Sequence, residues 1–445
     1  MKKSYISIAA VFTVAILIFS YFILVSESKE GPEDRIPGDE TAEWTSFFWF
    51  CGDGNLGELN MMLCDLHFLE LVDDSDKINM VAILDKEGQG DTQLLEVHRN
   101  GSTELNLTDI DPSWSDNELN LGDPEPLKKF LSWGVNNYSA HKYNIHLVNH
   151  GGGWRGMCWD ESSEDHLSLP EIREVCEDFK GLTGENVDIL STEGCLVGML
   201  EFAYELRNCC DYFVGGSTYG WGAEADPEND VWEPGNWQYD KCWQTLSDNP
   251  LMSPERFATI MGETFEPWGP WRAPPMMPKQ GYSDVMGVYN LSKVEDLARS
   301  VDKLASHLLS HVQGPGQTLS QGILINTVIG HPETPDEYHT ESFSAQMDWV
   351  GMSTYTNYDL YDFAYMLGKR SAGNLRTALS QEIMEGVEET IILHRNVDDP
   401  GGHPDASGIS IYIPYRSSVY NDNYGDIQFA KDTSWDEFIQ AVHWA

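Results

Sequence analysis

Basic residues are what this chain most lacks. Lysine and arginine total 27 against 72 aspartates and glutamates in 445 residues, a formal charge of −45. A surface so poor in cations repels nucleic-acid phosphates and anionic membrane faces, so nucleic acid is not an expected partner, whereas basic peptides are attracted at long range. There is also no glycine-rich loop closed by lysine, no His-Glu-x-x-His helix and no internal repeat. Those absences remove phosphate-loop nucleotide hydrolysis, zinc-helix proteolysis and solenoid folds. Cysteine is sparse, with eight residues. Their spacing does not suggest a metal site, and the first is Cys51, which excludes a lipid-modified N-terminal cysteine. With one cysteine reserved for chemistry, seven remain that cannot all pair, so buried free thiols are expected for most.

Only one long apolar run occurs, residues 5–25 behind Lys2 and Lys3. It is long enough to cross a bilayer, and the leading lysines keep the N-terminus inside. Residues 1–28 therefore read as a signal peptide or a single N-terminal membrane anchor, and residues 29–43 as a polar linker. The bulk of the chain is expected outside the cytoplasm, secreted or anchored. Its 41% hydrophobic and 11% aromatic content is enough for a large core.

From residue 44 to about 217 the pattern alternates strand and helix, which predicts a mainly parallel sheet covered on both faces. Helices are expected to open near Glu125 and Leu169, and a long amphipathic helix over residues 292–311. Residues 217–278, rich in Trp, Pro and Gly, read as loops around a pocket. Two apolar runs, 143–149 and 187–190, end at His150-Gly151-Gly152-Gly153-Trp154 and just before Cys195. Carboxyl ends of parallel strands open on one edge, where reacting groups collect. A thiol next to an imidazole can be made nucleophilic, and three glycines leave backbone N–H groups uncovered for an oxyanion. Residues 196–206 read as one helix, so the Cys195 sulfur is expected at a helix N-terminus that favours thiolate. Either residue alone at a strand end is more often packed than catalytic; the shared edge and the glycines argue for a pair.

The blocks Asn149-His150-Gly151-Gly152-Gly153-Trp154, Cys158-Trp159-Asp160-Glu161-Ser162 and Glu193-Gly194-Cys195 resemble the clostripain-related cysteine peptidases of the caspase-like clan. So do Gly52-Asp53-Gly54-Asn55-Leu56, the strand ending Ile83-Leu84-Asp85, and the segments from Tyr358 and Gly408. The resemblance implies a caspase-like α/β fold: a peptidase domain at 44–290 and a C-terminal α+β subdomain at 291–445. It implies His150 as general acid/base and Cys195 as nucleophile of a thioester mechanism, with the N–H groups of Gly151 and Cys195 as oxyanion hole. Protein or peptide substrates cut after Arg or Lys follow from it, with Glu193, Asn236 and Ser217 as substrate-binding candidates.

The chain departs from the family pattern at that pocket. Glu193 stands where relatives have Asp, and Asn236 stands at a position that often supplies a second carboxylate. A non-catalytic caspase-like binding module and a transpeptidase using the same dyad are the alternatives. No cofactor is required by this chemistry. Some relatives use calcium, which the acidic run 226–230 could hold through oxygen ligands, although its spacing is not that of a dedicated calcium loop. Relatives mature by cutting themselves after a basic residue in the loop behind the histidine. Residues 156–171 contain no lysine and no arginine, so the chain is expected to stay whole or to be cut elsewhere by another route.

Overall fold

Side-chain alternation along one central strand sets the architecture. In β1 (Ala42–Phe50), Phe47 and Trp49 enter one apolar core while Trp44, Phe48 and Phe50 enter another. A strand buried on both sides must lie mid-sheet with layers above and below. The computed structural model describes residues 41–218, 220, 224–267, 284–312, 342–343, 357–369, 375–396, 406–414 and 420–443.

The other strands of the main sheet are β2 (Ile78–Leu84), β3 (Gln93–Glu96), β4 (Thr103–Leu105), β5 (Ala140–Val148), β6 (Val187–Glu193), β7 (Cys210–Gly216), β8 (Met286–Asn290) and β9 (Ile391–Arg395). Their order is β9-β8-β7-β6-β5-β1-β2-β3-β4. The run β2-β1-β5-β6-β7 is parallel, and antiparallel strands close both sides of it. Helices Pro124–Asn137, Leu169–Thr183, Leu200–Leu206 and Val294–Leu309 cover one face. Met61–Leu69, Tyr239–Asp248 and Pro254–Thr264 cover the other. Leu169–Thr183 starts where Ser168 and Glu171 cap each other reciprocally, behind a proline in the first turn.

The parallel sheet with helices on both faces is the expected one. The Trp-rich segment is not mainly loop: residues 239–248 and 254–264 are helical. Tyr239, Cys242, Trp243 and Leu246 fall at helical spacing and are buried, and Trp237, Tyr239 and Trp243 pack around the ring of His146. Residues 268–278 of that segment lie outside the described residues. So does the Pro-rich loop read at 330–336.

The sheet also runs across position 290, because β9 pairs with β8. Residues 1–40, including the apolar run of 5–25, lie outside the described residues. Among the described residues no helix is long and apolar enough to cross a membrane.

Candidate active site

Register brings the two motif loops together. Val148 of β5 lies opposite Glu193 of β6, so His150 and Cys195, each two residues further on, leave the sheet side by side. The loops touch through backbone: a Cβ added to Gly151 would stand 2.1 Å from the Cys195 carbonyl oxygen, so only glycine fits. The Gly151 N–H is directed at the Cys195 sulfur.

Cys195 does not sit at a helix N-terminus. The helix begins at Leu200, with Met199 as its cap. Residues between are held by tertiary bonds: Leu196 adopts φ 65°, its N–H donating to Thr218 O at 2.8 Å, and Gly198 N–H donates to Gly216 O at 2.7 Å. Gly198 must be glycine, since a Cβ would meet Ser217 N at 2.7 Å. With no helix end behind it, the thiol is not acidified. Burial pushes its pKa up to about 11, Asp284 and Glu193 add to the rise, and contacts from the Gly220 and Gly151 backbone oppose it. Burial lowers the His150 pKa to about 4. At neutral pH the resting pair is therefore thiol and neutral imidazole.

His150 Nε2 lies 2.8 Å from Asn55 Oδ1. With an amide oxygen as acceptor, Nε2 carries the proton and Nδ1 is the basic nitrogen. Asn55 was not singled out in the sequence as a site residue, although it stands in the Gly-Asp-Gly-Asn turn. Behind Cys195, Ser410 donates its N–H to Gly198 O at 3.0 Å and its hydroxyl to the same oxygen at 3.2 Å. Tyr412 N–H and Tyr424 O–H both bond Glu201 Oε1, at 2.9 and 2.8 Å. The C-terminal segment thus buttresses the cysteine loop.

The substrate-binding candidates separate. Glu193 accepts from Tyr239 O–H at 2.6 Å, and burial raises its carboxyl to about 7 although the residue keeps some exposure. Asn236 is buried and donates to Asp284 Oδ2 at 2.7 Å and Glu266 O at 2.8 Å. The carboxylate on this side of the site is Asp284. Sequence reasoning missed it because nothing in Ser283-Asp284-Val285 signals a motif. Val285 bonds both Ser217 N–H and Thr218 Oγ1, which places Asp284 at the same sheet edge as Cys195. Ser217 is fully buried with its hydroxyl donating to Gly198 O at 2.7 Å, so its side chain holds the cysteine loop. The acidic run forms a hairpin, Glu224–Asp226 with Val231–Glu233, in which Asp226 is occupied by Asn229.

Two further clusters carry metal-ligating atoms. Asp53, Asp85 and Asp160 bring carboxylate oxygens within 4.8 Å of one another, and Cys176, Cys209 and Cys210 do the same with sulfur. The thiol cluster starts at the opposite end of the sheet, where β7 begins. All eight cysteines are buried.

The clostripain family's model matches residues 48–444. Clostripain of Hathewaya histolytica is 26% identical over 412 residues, covering 83% of this chain and 74% of that one. An inactive zymogen C11 protease from Parabacteroides distasonis superposes with a TM-score of 0.58 at 16% identity, over 88% of this chain and 99% of the other. A secreted C11 cysteine protease from Bacteroides thetaiotaomicron, solved with an irreversible peptide inhibitor, gives 0.57 at 17% identity, over 91% and 100%.

Proposed function

This chain belongs to the clostripain family and is a cysteine-type peptidase, and from that premise we propose that it is an extracytoplasmic endopeptidase that cuts after Arg or Lys. The observation that carries the reading is the pairing of β5 and β6, which sets His150 and Cys195 on one edge with Gly151 packed on the cysteine backbone.

His150 Nδ1 takes the thiol proton as sulfur attacks the scissile carbonyl. The oxyanion is received by the N–H groups of Gly151 and Cys195. On collapse the C–N bond breaks, the proton passes from His150 to the leaving amine, and an acyl thioester remains. Water, deprotonated by His150, then hydrolyses the thioester and restores the thiol. Because the resting pair is neutral, proton transfer accompanies attack.

Asp284 and Glu193 supply the negative charge for a basic P1 side chain. Both act on the Cys195 sulfur, and Asn236 orients Asp284. A guanidinium between two carboxylates is matched in charge without the aspartate that Asn236 replaces. Location outside the cytoplasm is supported by the apolar run behind two lysines and by the secreted relative.

The test is labelling of the purified chain by an acyloxymethyl ketone with Arg at P1, together with a peptide-library profile. Labelling confined to Cys195, lost in Cys195→Ala, and cleavage after Arg or Lys are expected. A chain that neither labels nor cleaves any library peptide overturns the dyad, and cleavage without a basic preference overturns the pocket.

A further inference from the structure

A hydrogen-bonded chain of side chains runs from the core to the edge of the site. Asn144 and His146 alternate along β5, and Ser191 and Glu193 along β6, with His146 opposite Ser191. All four therefore point to one face of the sheet, where Tyr239 opens its helix. The contacts are Ser191 Oγ to Asn144 Oδ1 at 3.0 Å, Ser191 Oγ to His146 Nδ1 at 2.8 Å, His146 Nε2 to Tyr239 Oη at 2.9 Å, and Tyr239 Oη to Glu193 Oε2 at 2.6 Å. Asn144, His146, Ser191 and Tyr239 are fully buried, and the rings of Phe48, Trp237 and Trp243 pack on the imidazole. Polar groups in such a core are costly unless a proton fills every contact between them.

Protons along this chain fall one short. Four contacts need four protons, while the Ser191 hydroxyl, the Tyr239 hydroxyl and a neutral imidazole bring three. His146 brings no second one, because burial lowers its pKa to about 3. Ser191 gives its proton to Asn144 Oδ1, so it accepts from His146 Nδ1–H and leaves Nε2 as an acceptor. Glu193 and His146 Nε2 thus face the same Tyr239 proton. Given to Glu193, that proton leaves two lone pairs opposed at 2.9 Å between His146 and Tyr239. Given to His146, it obliges Glu193 to supply the missing proton, as a carboxylic acid donating to the Tyr239 oxygen.

We propose that His146, shut away from substrate, sets the P1 preference by competing with Glu193 for the Tyr239 proton and so opposing the negative charge of the pocket. The Tyr239 bond is the contact that works against the rise of the Glu193 carboxyl, so a contest for that bond is a contest for charge. When Glu193 ionises, its proton leaves to water on the side where the residue keeps some exposure. Asp65, on the helix Met61–Leu69, faces both Glu193 and Tyr239; Cys195 faces Glu193, and Cys242 faces Tyr239. Burial holds the Asp65 carboxyl and both thiols above their ordinary values, so they stay neutral while Glu193 titrates. The specificity role rests on Glu193 as a P1 carboxylate, the reading given above; the proton arrangement does not.

Imidazole 15N shifts of the full-length protein, with His146 identified by the signal lost in His146→Leu, test the arrangement without turnover. A neutral ring with its proton on Nδ1 is expected from about pH 5 to about pH 8. A proton on Nε2 would serve Tyr239 from both sides and overturns the competition. The ratio of kcat/KM for Arg over Gln at P1 tests the consequence, with a midpoint expected at about 7 in the unaltered protein. His146→Leu removes the competitor and should bring the midpoint down toward about pH 6, raising the ratio roughly fivefold at about pH 6 and leaving it unchanged at about pH 8. Ser191→Ala, which frees the ring to carry its proton on Nε2, should act in the same direction and serves if His146→Leu does not fold. Tyr239→Phe should move the midpoint the other way, above about 7. A ratio profile unmoved in folded His146→Leu or Ser191→Ala overturns the role of His146. If Glu193→Gln leaves the ratio unchanged, the pocket reading has failed and the specificity role with it, while the tautomer result stands.

Discussion

Cys195 and His150 start as a neutral pair, and that fixes the shape of the pH profile. His150 must be unprotonated to accept the thiol proton, and its pKa is lowered to about 4. In the proposed pocket Glu193 holds a basic P1 side chain only when charged, and its pKa is raised to about 7. As pH falls, cleavage after Arg should therefore fade first, through about 7, while cleavage after Gln persists until His150 protonates near 4. The ratio of kcat/KM for Arg over Gln, measured from about pH 8 to about pH 5, is expected to drop. A flat ratio removes Glu193 from charge recognition. Asp284→Asn should lower the same ratio roughly five- to thirtyfold, the difference between a charge-assisted and a neutral bond. Asn236→Asp should not raise it: a second carboxylate 2.7 Å from Asp284 shares a proton with it and adds little charge. Asp284 was illegible in the sequence because only the fold brings it to Asn236, 48 positions away. His150 and Cys195 were legible because apolar runs end at both and glycines follow the first.

At the level of elements, the strand ends were readable and the helix start was not. Leu196-Val197-Gly198-Met199 continues the apolar pattern of Leu200–Leu206, so sequence alone runs them together. In the fold, Gly198 must press on Ser217 and Leu196 must bond Thr218, and these contacts defeat local helix propensity. Likewise 239–248 was obscured by its Trp and Gly neighbours. The three aspartates were each visible inside a quoted block, but their convergence depends on sheet order. Gly151→Ala tests how tightly the two loops fit. With a Cβ 2.1 Å from Cys195 O, one loop must retreat. Stability should fall by about 1–3 kcal/mol, as for overpacking. kcat/KM should fall at least about a hundredfold, the scale of losing an oxyanion donor. Chemical denaturation and steady-state kinetics on one preparation measure both, and normal kinetics in a destabilised variant would separate the fit from the chemistry.

For the whole molecule, a net charge of −45 predicts salt-sensitive encounter with basic substrates. kcat/KM for a peptide with several lysines should decline between about 20 mM and about 500 mM salt, while an uncharged ester's does not, because the screening length shrinks below the size of the charged face. Equal salt responses would remove long-range attraction as a factor. The buttress behind Cys195 has a consequence of another kind, one of order in time. Ser410 and Tyr412 lie more than two hundred positions downstream of the cysteine they support, and β9 must arrive before β8, the strand next to Asp284, gains its outer neighbour. At roughly 5–20 residues per second, the ribosome leaves about ten seconds or more between making the nucleophile and making its support. On the proposed reading of Cys195, a growing chain carries its nucleophile for that interval without the contacts that support it in the fold.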